Sequence, residues 1–148
     1  MIDIESFTGD HVYLDANVFI YAVEGFEKYA SLCTALLEAI EVRKIQAVTS
    51  ELTLAEVLVR PLKEKRTDIA AVYERLVQSQ FSLKVVPVSR GILVAAAGLR
   101  ATSGCKLPDA IHAATAQSAG SEFLFTADKS LKAPLPLRVV TLDDLLEG

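Results

Sequence analysis

Four acidic residues stand where a carboxylate is hard to place unless it has a task. Asp15 lies between the apolar runs His11–Leu14 and Val18–Ile20. An unpaired charge in such surroundings costs several kcal/mol, the order given for buried ions, whereas the structural alternative, a helix N-cap, contributes about 1 kcal/mol. Glu56 sits among Leu52, Leu54, Ala55, Val57, Leu58 and Val59, a segment apolar nearly all round, which predicts a buried helix. Arg60, four residues on, could pair with it, but such pairs contribute only about 0.2 to 0.5 kcal/mol and do not explain burial. Asp109 follows Pro108, in a first helical turn where the dipole favours a carboxylate by roughly 0.3 to 1 kcal/mol without any function. Asp128 lies two residues past the apolar stretch Phe123–Thr126, a place where an ordinary Asx turn would also suit it.

The elements that must position these residues follow from the hydrophobic pattern. Strands are expected at 11–14, 45–49, 81–88, 122–126 and 137–140, each a short apolar run. Helices are expected at 26–43, on the spacing of Tyr29, Leu32, Leu36 and Ile40, at 51–59 after a Ser50 cap and stopped by Pro61, and at 68–80. Two more run from a Ser89 cap to about Ala101 and from Pro108 to near Gly120, and a terminal turn is capped by Thr141. Strands alternating with helices define an α/β fold: a three-layer, doubly wound sandwich around a mostly parallel five-stranded sheet. The length of 148 residues fits one domain over 1–148. In such sheets ligands bind at the carboxyl ends of the strands, where the winding reverses, and the four acids converge on that edge.

Carboxylates brought so close repel unless a cation sits among them. Hard oxygen donors suit Mg2+ or Mn2+, and a carboxylate-held ion activates water and stabilises the oxygens of an in-line phosphoryl displacement. The acids therefore point to a metal-dependent nuclease. Asp15, Glu56 and Asp109 are expected to hold the ion, with Asp128 completing the cage or a second site. Lys106, Lys129 and Lys132, placed at the same edge, are candidates for gripping substrate. His112 lies one turn after Asp109 but among Ala110, Ile111, Ala113 and Ala114 it reads as a packed, hydrogen-bonded helix residue rather than a ligand.

Composition sets the remaining bounds. Hydrophobic residues make up 51% and charged residues 23% of the chain, which excludes disorder and supplies a core. A net charge of -4 argues against nucleic-acid binding by bulk charge while permitting a local basic rim. No apolar stretch approaches the roughly 18 residues of a membrane span, and the acidic start MIDIES is unlike a secretory signal, so the expected location is the cytoplasm. Cys33 and Cys105 form no CxxC pair and are expected as reduced core residues. The segment Gly98 to Lys106 fails the P-loop spacing.

The stretches YLDANVFIYAV (13–23), TSELTLAEVLVRPL (49–62), KLPDAIHAATA (106–116) and FLFTADKSL (123–131), in this order, resemble PIN-domain proteins, most of all the VapC-type ribonuclease toxins. The resemblance implies a metal-dependent endoribonuclease that uses Mg2+ or Mn2+, with Asp15, Glu56, Asp109 and Asp128 as its acidic quartet and Asn17 and Thr126 as polar residues that orient it. It also implies a cognate antitoxin, a homodimer, and a hydrophobic groove near the first helices, for which Phe19, Phe26 and Tyr29 are candidates. Ala16 stands where many relatives have Ser or Thr, and Lys129 and Ser130 where some have a further acid, which leaves one ion or two open. Two rivals remain: a non-catalytic PIN-like module that binds RNA or protein, and a Mg-binding receiver-type signalling domain, which needs paired acids after the first strand where the chain offers only Asp15.

Overall fold

The computed structural model describes residues 3–134 and 136–146; the outermost residues of the expected 1–148 unit, and Leu135, lie outside the described residues. After a 3-10 turn at Ile4–Phe7 the order is β1 (His11–Leu14), α1 (Ala16–Glu24), α2 (Ala30–Glu41), β2 (Gln46–Ser50), α3 (Glu51–Lys63), α4 (Thr67–Leu76), β3 (Leu83–Val86), α5 (Arg90–Ser103), α6 (Leu107–Ser118), β4 (Phe123–Thr126), β5 (Arg138–Thr141) and α7 (Leu142–Leu146). The five strands form one sheet in the order β3-β2-β1-β4-β5. All four pairings are parallel, so the sheet meets the expectation and is more uniform than it. β1 is central: Tyr13 pairs with Val48 of β2 on one side and Leu124 of β4 on the other. The chain winds outward first one way and then the other from β1, which puts the switch point between β1 and β4.

Successive strand residues face opposite sides, and the two faces build two cores. Val12, Leu14 and Phe125 pack with Val18 and Phe19 of α1, Cys33 and Leu36 of α2, Val57 of α3 and Tyr73 of α4. Tyr13, Val48 and Leu124 face the other way, toward Ala116 of α6, and Ile92 and Ala96 of α5 complete that layer against Ala110 and Ala114. Among the described residues no helix is long and apolar enough to cross a membrane.

Local chemistry sets the boundaries, and some differ from the sequence expectation. The expected helix at 26–43 is α2 alone, starting at Ala30. Before it the apolar run after Asp15 forms a separate helix, α1, which Gly25 ends with φ 71° in the left-handed region while its N–H bonds back to Tyr21 O. Pro61 does not stop α3, which continues to Lys63, because a proline in the last turn removes a single ladder bond and here gains a buried position. α4 ends at Leu76 rather than Gln80, and Gln80 N–H instead donates to Leu83 O across the turn into β3. Ser50 and Ser89 do cap α3 and α5, accepting from Leu52 and Ile92 N–H. Thr141 and Asp144 exchange hydrogen bonds as a capping box at α7.

Two expectations about burial are corrected. α3 is not buried all round: Thr53, Val57 and Pro61 face inward, while Val59 is 65% exposed. Cys33 is buried, but Cys105 is only half-buried, because it precedes the Lys106 entry to α6 rather than lying within an element. Burial pushes the Cys33 thiol up to about 12, so little thiolate forms near neutral pH. Native protein treated with iodoacetamide at mildly alkaline pH should therefore be alkylated once, at Cys105, and twice only after denaturation; peptide mapping reads the sites.

Candidate functional site

β1 ends by delivering Asp15 into the switch point. Its backbone N–H bonds Phe125 O at 3.0 Å, which locks it to the neighbouring strand, and its Oδ1 accepts from Ala16 N–H at 2.7 Å as the N-cap of α1. Thr126, at the end of β4, donates its hydroxyl to Asp15 Oδ2 at 2.6 Å. The same hydroxyl oxygen accepts from Asp128 N–H at 3.0 Å, so one threonine sets the position of two acids. Asp15 is buried yet both its oxygens are satisfied, so the cap and the functional placement coexist.

Glu56 projects from α3 with its side chain 34% exposed, and its partner is not Arg60 but His112, at 2.6 Å from Oε1 to Nε2. Arg60 pairs with Glu64 instead. His112 Nε2 also stands 3.7 Å from Asp15 Oδ1, and its Nδ1 lies 2.6 Å from the Tyr13 hydroxyl. His112 is thus the packed, hydrogen-bonded helix residue that the sequence suggests, and it is also inside the acidic cluster. Ligand atoms of Asp15, Glu56 and His112 all lie within 4.8 Å of one another. Burial alone would lower the His112 pKa, but its hydrogen bond to Glu56 and the charges of Asp15, Glu56 and Asp109 outweigh it and hold the imidazole above its ordinary 6.5. The Tyr13 phenol is raised well above 10.0 by burial first and then by the Asp15 charge.

Asp109, at the third position of α6, belongs to the same field. Burial raises its carboxyl pKa, and the charges of Asp128 and Asp15 raise it further. Asp128 is lowered, chiefly because Ser130 donates both its hydroxyl and its N–H to Oδ1, at 2.6 and 2.8 Å. Asp109 and Asp128 add no atom to the tight group of three among the described residues. Asn17 is half-buried beside the site and makes no side-chain hydrogen bond among the described residues. Of the three candidate lysines, Lys129 pairs with Asp143 at 2.8 Å, Lys106 lends its charge to the lowering of Asp128, and Lys132 is exposed with no ion pair among the described residues.

Sequence reasoning understated His112 and passed over Tyr13. The available signal was the i+3 spacing from Asp109 on a helix that starts at the carboxyl edge. Tyr13 could not be found the same way, because it reaches His112 only through the pairing of a strand with a helix 99 residues away in sequence.

A parallel α/β sandwich with an acidic cluster and an imidazole at its switch point defines a class of proteins that handle ligands at the carboxyl edge of the sheet. Within that class, the sequence profile of the PIN domain family matches residues 12–134, and the chain belongs to that family. No curated protein sequence matches the chain. Similar solved structures include the VapBC2 complex of Rickettsia felis bound to a DNA fragment from its promoter, with TM-score 0.67, 17% identity, and coverage of 88% of this chain and 98% of that one. A toxin–antitoxin complex from Klebsiella pneumoniae matches with TM-score 0.59 and 29% identity over 88% of this chain and 97% of that one. VapC20 of Mycobacterium tuberculosis, described as a Sarcin-Ricin loop cleaving toxin, matches with TM-score 0.67 and 12% identity over 81% and 92%.

The His112 arrangement makes a stability prediction. Because its folded pKa is raised above 6.5, its ionic contribution is complete below the unfolded value and is lost as pH rises through the folded one. In EDTA, the stability gap between the parent and His112→Gln should narrow as pH is raised through that window, measured by urea unfolding. Tyr13→Phe leaves Nδ1 without its partner and should cost about 1 to 3 kcal/mol in the same assay.

Proposed function

We propose that the protein is a metal-dependent endoribonuclease, the toxin of a toxin–antitoxin pair, that hydrolyses RNA phosphodiester bonds. The observation that carries this reading is the convergence of Asp15, Glu56, Asp109 and Asp128 with His112 at one sheet edge. It is supported by the PIN family match and by the toxin–antitoxin assemblies among the similar structures.

The donor set fits a divalent cation: two carboxylates and an imidazole within 4.8 Å, two of the three buried, leave a surplus of negative charge that a cation neutralises. Asp15, Glu56 and Asp109 would hold the ion, with Asp128 beside them and His112 near enough to join. When bound, Mg2+ or Mn2+ would supply charge stabilisation at the phosphate and an acidified water. The protein's own part is positional. Thr126 and the Ala16 N–H fix both Asp15 oxygens, His112 fixes Glu56, and Ser130 keeps Asp128 ionised, so the acids meet substrate already oriented. Burial and the charges of Asp128 and Asp15 raise the Asp109 carboxyl pKa, and a cation beside it would oppose that rise. Lys106, Lys129 and Lys132 would grip the flanking phosphates.

For the antitoxin, the reading is supported by an apolar groove of about 700 Å³ lined by Ala22, Leu37, Ile40, Leu76 and Leu83, with Glu38, Glu41 and Arg43 as its charged residues. The fully buried Phe19 forms only its floor and Tyr29 is buried, so neither offers a side chain to a partner, and Phe26 lies outside this groove. A homodimer is supported by exposed Val59 and Leu62 of α3 and Leu93 and Val94 of α5. We place the protein in the cytoplasm, as one PIN-like domain.

Purified protein should cut total RNA with Mg2+ or Mn2+ and not with EDTA, and Asp15→Asn and Asp109→Asn should each lower the rate at least about a hundredfold, the scale set for losing one preorganised charge stabiliser. Cleavage by Asp15→Asn at the parent rate would sink the quartet. Absence of cleavage by inhibitor-free parent with either metal would sink the enzyme reading and leave the binding module.

A further inference from the structure

Beside the acidic edge, the last turns of α1 and the turn that follows carry three aromatic rings: Tyr29 belongs to the core, Tyr21 packs against it, and Phe26 lies outside it. Tyr21 stacks on Phe26 with ring centroids 4.7 Å apart and 27° between planes, and on Tyr29 at 5.2 Å and 19°. Phe26 and Tyr29 are 5.8 Å apart at 21°. The three rings are therefore near-parallel, and while Tyr29 is buried, Phe26 is 51% exposed. The backbone beneath is fixed: Phe26 N–H bonds Tyr21 O at 3.3 Å, and Phe26 O accepts from Tyr29 and Ala30 N–H at 3.0 and 2.8 Å. A flat apolar ring is thus held open to solvent on a rigid turn.

Cations frame it. Asp143 accepts the Tyr29 hydroxyl at 2.7 Å and pairs with Lys28 at 3.1 Å and Lys129 at 2.8 Å. Two lysines share one carboxylate, which leaves one positive charge in excess, and their side chains remain 58% and 72% exposed. Lys28 Nζ lies 5.1 Å from the Tyr29 ring centroid. Lys129 directly follows Asp128, and Tyr21 belongs to the helix that Asp15 caps. The Tyr21 phenol is raised by burial, by Tyr29 and Cys33, and also by the Asp15 charge, which agrees with a stack in the field of the acidic cluster.

We propose that Phe26, backed by Tyr21 and with Lys28 and Lys129 held at Asp143 beside the neighbouring Tyr29, is a stacking platform for an unpaired base of the RNA strand that crosses the acidic edge. The two ammonium groups, gathered at the one Asp143 carboxylate, would meet a phosphate of the same strand. This rests on the nuclease reading and names its substrate as locally single-stranded RNA. Every base offers a π-face to such a ring, and paired bases cannot reach it without unstacking. A protein partner has a separate apolar groove, which Phe26, Lys28 and Lys129 do not line.

The test is fluorescence anisotropy in EDTA with fluorescein-labelled oligo(A), free and annealed to oligo(U), using the parent, Phe26→Leu and Phe26→Trp. Leu keeps apolar bulk and loses the flat ring, so the comparison does not depend on unfolding; thermal melts confirm that all three fold. Phe26→Leu should weaken binding of the single strand about tenfold, leave the duplex unaffected, and be reversed by Trp. Lys28→Gln with Lys129→Gln should flatten the salt dependence of single-strand binding. Equal oligo(A) affinity for parent and Phe26→Leu, with parent still cutting RNA in metal, overturns the platform and leaves the nuclease reading intact. Phe26-dependent binding without any cutting supports the platform and overturns cleavage alone. Loss of a co-purifying protein partner in Phe26→Leu, with oligo(A) affinity unchanged, overturns the proposal by assigning the face to protein.

Discussion

The structure depends on one buried carboxylate. Asp15 sits at the point where the sheet reverses its winding, out of water, and an uncompensated charge there would cost several kcal/mol. Its hydrogen-bond donors stand at the switch point, Ala16 N–H at 2.7 Å and the Thr126 hydroxyl at 2.6 Å, with the His112 imidazole 3.7 Å away. The cap from Ala16 is local to the chain, but the Thr126 donor requires that β1 and β4 lie side by side in parallel register, with Leu14 opposite Phe125. The strand order that buries the core is the strand order that satisfies Asp15, so fold and site stand or fall together.

His112 extends that constraint across the molecule. α3 packs on one face of the sheet through Val57 and α6 on the other through Ala116, yet Glu56 and His112 meet at 2.6 Å above the carboxyl edge, with Tyr13 of the central strand on the far side of the ring. A buried imidazole needs partners at both nitrogens, and here they come from a strand and from the opposite layer. Asp143 does comparable work at the margin, joining α7, the turn before α2 and the loop after β4 through three contacts on one carboxylate. The result is a negative centre beside a framed aromatic surface, two environments of opposite character at one edge.

Much of this was legible in the chain. Apolar runs bounded by Ser50, Ser89 and Pro108 mark strands followed by capped helices, and their alternation implies a parallel sheet with its site at the carboxyl edge. What misled was the use of local rules without their context. Pro61 reads as a helix stop, but in a last turn it removes only one ladder bond, and α3 runs on to Lys63. The apolar run after Asp15 reads as surroundings for a charge, whereas Gly25, by adopting a left-handed conformation, makes it a helix of its own. An all-apolar stretch around Glu56 suggests burial on every side, yet Val59 points to solvent, since a helix on the outside of a layer presents only one face to the sheet.

The sequence by itself determined which residue types reach the carboxyl edge: acids after β1 and β4, at the start of α6 and within α3 follow from spacing and capping, which are short-range. Which atoms touch there was decided only by tertiary structure. Glu56 pairs with His112 rather than Arg60, Tyr13 closes the ring from behind, and Asp143 gathers Lys28, Lys129 and Tyr29. The His112 contacts join elements far apart in sequence, where the buried imidazole takes whichever partners the packed layers bring within hydrogen-bond range and exposed Arg60 is left to pair with Glu64; the exposed lysines at Asp143 are brought to it by the ends of the elements that carry them.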